Sequence, residues 1–159
     1  MAERPVMYLE HDDWSPRYQD TFYTVRLEQF ELLTSPPPVV DAAHVSSNHQ
    51  LGGKTNFPAY YYKLEVFCGR HRPKTIFRRY SQFKWLYENL SNETLSFPTA
   101  GAGCIFCSPQ TDNFANNRKG DLKDFLEEAL SRREIASHEI VAQFLELDAF
   151  IQAAATTSN

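Results

Sequence analysis

At 159 residues the chain has room for one domain with a real core and is too short for two of ordinary size. A formal net charge of −4 excludes the broad positive field expected of a nucleic-acid partner. Three cysteines are too sparse for a secreted disulfide scaffold, so the expected setting is reducing and cytosolic. No apolar run resembles a signal peptide or approaches the roughly 18 residues of a membrane span.

In chain order, residues 1–20 are polar, carry two prolines and show no period, and are read as an N-terminal extension. From Phe22 to Leu33 the sequence alternates, with Val25 and Leu27 on one face. At Gln29 the parity shifts, and Phe30 and Leu32 continue on the other, which predicts a strand interrupted by a bulge. Residues 34–57, rich in Pro, Ser, Gly and Asn, form a loop long enough to be either functional or disordered. "YYYKLEVF" alternates again, "CGRHRP" supplies a turn and "KTIFRRY" returns, so the three strands predict an antiparallel meander.

Helical periodicity takes over next. Phe83, Leu86, Tyr87 and Leu90 recur at i, i+3, i+4 and i+7 in a helix beginning near Ser81. After a second long loop, another helix runs from about Phe114 to Arg132 on a stripe of Leu122, Phe125, Leu126, Ala129 and Leu130. Ser137 is the expected N-cap of a third, with Ile140, Val141, Phe144 and Leu145 inward. Strands followed by helices define an α+β arrangement: a three-stranded meander packed against a helical subdomain of three or more helices.

Several motifs fail on inspection. Gly53-Lys54-Thr55 looks like the end of a phosphate-binding P-loop, but Asn48 stands where the first glycine belongs and no periodic helix follows. Gly101-Ala102-Gly103 lacks the third glycine of a dinucleotide fingerprint. Cys68 and His71, with Cys104 and Cys107, are ligand types that zinc accepts. The seven-residue strand between the first pair and the helix start spans about 20 Å, which separates the pairs if the second lies at its far end. No metal site is therefore assigned. The five histidines and the serines form no recognisable nucleophile arrangement, so neither an enzyme nor a cofactor is expected.

Charge placement is more informative than its total. Seven of the sixteen basic residues, Lys63, Arg70, Arg72, Lys74, Arg78, Arg79 and Lys84, fall within positions 63–84 against the single acid Glu65. Such a run is either a solvated strand surface or an anion-binding face. In "FRRYSQFKWLYENL" a strand delivers two arginines and a tyrosine to the start of a helix. Arginine forks match phosphate oxygens, an aromatic face packs on a ring sugar, and helix N-terminal N–H groups favour anions. The plain alternatives are exposed strand charge for Arg78 and Arg79, and core packing for Tyr80.

Four ordered blocks, "RRYSQFKWLYENL", Phe97-Pro98, "DNFANNRKGDLKDFLEEAL" and "SHEIVAQFLELDAFI", resemble the phox-homology (PX) domains of sorting nexins, most closely the small single-domain ones. The resemblance spans roughly residues 22–151 and sets the expected domain at 21–153, leaving 154–159 as a tail. It implies a pocket for phosphatidylinositol 3-phosphate, hence a peripheral module on early endosomal membranes that serves protein sorting, with sorting-complex or cargo proteins as further partners. By that resemblance Arg79 binds the 3-phosphate, Tyr80 packs beneath the inositol ring and Arg118 bonds the 4- and 5-hydroxyls. Arg78 either supports the pocket or faces neighbouring anionic lipid.

The family also carries a lysine for the 1-phosphate on a proline-rich loop, ahead of membrane-entering apolar residues. Here no lysine or arginine occurs between Lys84 and Arg118, and the loop reads "FPTAGAGCIFC". Loss of a charge-assisted hydrogen bond predicts roughly 10- to 100-fold weaker headgroup binding. Lys119 and Lys54 are the candidate substitutes. Ile105 and Phe106 are the expected insertion residues, each worth about 1.5–3 kcal/mol when buried, or else a small core beneath the loop. The missing lysine also motivates an alternative, a PX-type protein-interaction adaptor with weak or no phosphoinositide binding.

Overall fold

The computed structural model describes residues 16–37, 56–98 and 112–150. Four antiparallel strands lie in the order β1-β2-β3-β4: β1 (Arg17–Tyr18), β2 (Thr21–Leu33), β3 (Ala59–Cys68) and β4 (Lys74–Arg79). The three long strands are the predicted meander. The short β1 falls in the segment read as an extension, since two residues cannot display a period. Tyr18 belongs to the core nonetheless, and its hydroxyl donates to Asp148 Oδ1 at 3.1 Å.

Period-two alternation selects the inner face of the sheet. Tyr23, Leu27, Tyr62, Leu64, Val66 and Ile76 are all buried. The parity change falls where the sequence placed it. Leu27 pairs with Leu64 and Gln29 with Lys63, so Glu28 is the extra residue of a bulge. Beyond it Phe30 still packs on the core, whereas Leu32 is exposed.

Helix α1 (Tyr80–Leu90) follows β4 with no intervening residue, and α2 (Asp112–Leu130) carries the longest apolar stripe. After the single turn α3 (Arg133–Ala136) comes α4 (Glu139–Leu145), and residues 147–150 are again helical. The predicted cap of the third helix moves by one residue. His138, not Ser137, is the N-cap, and its Nδ1 accepts from the Ile140 N–H at 3.0 Å. A neutral imidazole nitrogen satisfies that otherwise unpaired donor as a hydroxyl would. The helices close over the inner sheet face, where Phe83 of α1 meets Phe144 of α4 edge to face at 5.0 Å. Tyr23 donates its hydroxyl to the Ala136 carbonyl at 2.6 Å and ties β2 to α3.

Candidate headgroup-binding site

Arg79 and Tyr80 form the corner where β4 becomes α1. Arg79 is extended and serves as the helix N-cap, although its side chain cannot accept from the first-turn amides. Gln82 compensates. Its Oε1 accepts from the Arg79 N–H at 2.9 Å, and its side chain is buried. Arg79 itself is only 7% exposed. Among the described residues, Arg79 Nε and Ser81 Oγ are buried side-chain atoms with no hydrogen bond, while Arg79 makes other interactions within the chain.

Tyr80 is joined by residues from α2 and from the stretch after α1. The Arg118 guanidinium lies 3.9 Å from the Tyr80 ring centroid and 4.3 Å from that of Phe114. Phe114 is one helical turn before Arg118, the i, i+4 spacing that puts both on one face of α2. Two aromatic neighbours at these distances hold the guanidinium by cation–π attraction, about 0.5–2 kcal/mol apiece. Burial lowers the Arg118 pKa, partly countered by Tyr62, Tyr80 and Asp121. With its π faces against rings, a guanidinium still offers in-plane N–H donors, the geometry that suits vicinal hydroxyls or a phosphate edge.

Phe97-Pro98 also acquires a structural role. The Phe97 ring sits 5.5 Å from Tyr80, stacks on Tyr87 at 5.2 Å and meets Phe125 edge-on at 5.0 Å. The Tyr80 hydroxyl donates to the Pro98 carbonyl at 2.8 Å. The chain entering residues 99–111 is thus fixed beside the corner. Tyr80 therefore has protein neighbours on its ring, so a sugar packing on the Arg118-covered part of that ring would have to displace the guanidinium.

Arg78 departs from the headgroup-binding role. It points inward at 2% exposure, with Nε donating to Phe144 O at 2.9 Å, Nη1 to Phe77 O at 2.8 Å and Nη2 to Glu146 Oε2 at 2.9 Å. Its side chain joins β4 to α4, the placement expected of the supporting alternative. Lys74 adds a second cation to Glu146 at 3.2 Å. Burial alone would raise the Glu146 carboxyl, but Arg78 and Lys74 outweigh it and hold the pKa below the ordinary carboxylate range.

Lys119, a candidate substitute for the missing loop lysine, is engaged with β2. Its Nζ donates to the Glu28 carbonyl at 3.2 Å and lies over the Phe30 ring at 5.9 Å. Lys54, the insertion candidates Ile105 and Phe106, and the cysteines Cys104 and Cys107 lie outside the described residues. Cys68 is buried, and burial raises its thiol pKa, whereas His71 is exposed and packs toward Phe150 at 5.9 Å. Phe114 is the site residue that the sequence reading missed. The helical period places it only at the start of the second helix, whereas its position four residues before Arg118 marks it as a neighbour.

The chain matches the PX domain family over residues 68–148, just over half its length. It belongs to that family, whose members are phosphoinositide-binding membrane-recruitment modules and not enzymes. No match was found among curated proteins. No described helix is long and apolar enough to cross a membrane, and a PX domain associates with membranes peripherally.

Proposed function

We propose that the chain binds phosphatidylinositol 3-phosphate and is recruited by it to endosomal membranes for protein sorting. The observation that carries this reading is the stacked Arg118–Tyr80 pair beside Arg79 in sequence, at the β4–α1 corner. Arg79 takes the 3-phosphate, Arg118 takes the 4- and 5-hydroxyls through its in-plane donors, and Tyr80 forms the pocket wall. Ile105 and Phe106 enter the bilayer as the second attachment signal. Flotation with liposomes that contain or lack phosphatidylinositol 3-phosphate, using wild type and Arg79→Ala, tests the reading. Wild type floats with the phosphoinositide liposomes alone and the variant loses that dependence; equal flotation of both proteins with both liposomes overturns it.

A second reading, a PX-type adaptor that engages a protein instead of lipid, is favoured by one observation. Lys119 is committed to the β2 bulge, so the family's lysine has no described replacement. A stable protein partner in a pull-down, together with no liposome response at physiological salt, would support it.

A further inference from the structure

The bulge in β2 has chemistry that the rest of the sheet lacks. An inserted residue leaves the ladder, so its carbonyl is released from strand pairing. Glu28 is that residue, and α2 takes up both of its acceptors. Lys119 Nζ donates to the Glu28 carbonyl at 3.2 Å, and Lys123 Nζ lies 3.0 Å from Oε1. The two lysines stand at i and i+4, one turn apart on a single face of the helix. One inserted residue thus holds two rungs of α2. Arg26 Nε completes the cluster at 3.9 Å from the same carboxylate oxygen. Lys123 donation is the leading cause that holds the Glu28 carboxyl below its ordinary pKa.

The rotation of α2 about its axis matters because Arg118 is the residue immediately before Lys119. A helix advances about 100° per residue, so clasping the lysine face also sets the direction in which Arg118 leaves the helix. The buried stripe of Leu122, Phe125, Leu126 and Ala129 sets the face that α2 turns to the core, two hydrogen bonds hold its N-terminus, and the clasp adds a restraint on the lysine face. Tyr60 donates to Asp112 Oδ1 at 2.8 Å, and Tyr62 donates to the Ala115 carbonyl at 3.4 Å.

We infer that Glu28 is a positioning residue for headgroup recognition: the bulge clasps Lys119 and Lys123 so that Arg118 stands between Tyr80 and Phe114 with its donors directed outward. Its effect on lipid binding rests on the reading of Arg118 proposed above. Its effect on the stack does not, and the two are measured separately.

The first measurement uses the lipid-free chain. Ring currents from Tyr80 and Phe114 shift the Arg118 side-chain proton resonances upfield. In Glu28→Ala, and independently in Lys123→Met, these resonances move toward ordinary arginine positions while those of the buried Tyr23 and Phe83 stay in place. In the charge-swapped pair Glu28→Lys with Lys123→Glu they return. Unchanged Arg118 resonances in both single variants would overturn the inference. The second measurement is the affinity for phosphatidylcholine vesicles carrying phosphatidylinositol 3-phosphate. Glu28→Ala weakens binding roughly two- to five-fold, the range of an exposed ion pair, and has no further effect in an Arg118→Ala background. An equal fold-loss in that background would show that Glu28 does not act through Arg118. If wild type ignores the phosphoinositide while the stack still depends on Glu28, the functional reading fails and the positioning role stands.

Discussion

The chemistry proposed for the site rests on where three arginines, Arg78, Arg79 and Arg118, point. Arg78 and Arg79 are adjacent on one strand, yet period-two alternation sends Arg78 inward with Ile76 and puts Arg79 on the other face, paired in register with Tyr61. That signal is present in the sequence, because Ile76 and Arg78 share a parity, although a charged residue on the core face leaves both alternatives for Arg78 open until its partners are known. Its partner, Glu146, lies 68 residues away and becomes visible only once α4 is docked. Glu146→Ala strands a buried guanidinium and should cost on the order of 3 kcal/mol in a urea denaturation experiment, whereas Arg78→Met, which leaves Glu146 with Lys74, should cost clearly less. On the proposed reading, the flat guanidinium is the feature of Arg118 that the headgroup uses. Arg118→Lys keeps the charge but neither stacks as well nor offers a fork, and vesicle binding should fall about 10-fold. An affinity equal to wild type would show that only the charge matters there.

Among the elements, the strands and helices follow from periodicity, and their joints do not. The β2 bulge was legible because the apolar parity changes at one residue. Its use as a clasp for α2 was not, since nothing in a linear pattern pairs Glu28 with Lys119 and Lys123. The N-cap at His138 is not legible in the sequence, because a serine precedes it and histidine is an uncommon cap. Tyr23 ties β2 to α3 through a buried hydrogen bond. Tyr23→Phe removes the donor and leaves the Ala136 carbonyl without it, a loss of about 1–3 kcal/mol. The thermal midpoint should drop while binding at temperatures well below it persists. A variant as stable as wild type would mean that the joint is carried by apolar packing alone.

For the molecule as a whole, the Arg78–Glu146–Lys74 cluster links stability to pH. The Glu146 pKa is lowered in the folded state, so its contribution is fully present above the unfolded carboxylate value of about 4.3 and is lost as pH falls through the lowered folded value. Unfolding free energy should therefore fall on acidification below about pH 4.5, and Glu146→Gln should flatten that dependence; an unchanged acid limb would rule out Glu146 as its source. The overall α+β order was readable because four blocks occur in family order, and the same blocks put Arg79, Tyr80 and Arg118 forward as the candidates. The Arg118 stack was not readable, because it joins β4–α1 to α2, residues far apart in sequence. A titration of isotope-labelled protein with the soluble headgroup inositol 1,3-bisphosphate, followed by chemical-shift mapping, tests this directly. Saturable shifts centred on Arg79, Tyr80 and Arg118 are predicted, with the exposed Arg70 and Arg72 of the β3–β4 turn unaffected. No saturable shift, or shifts centred on that turn, would contradict a headgroup site at the β4–α1 corner.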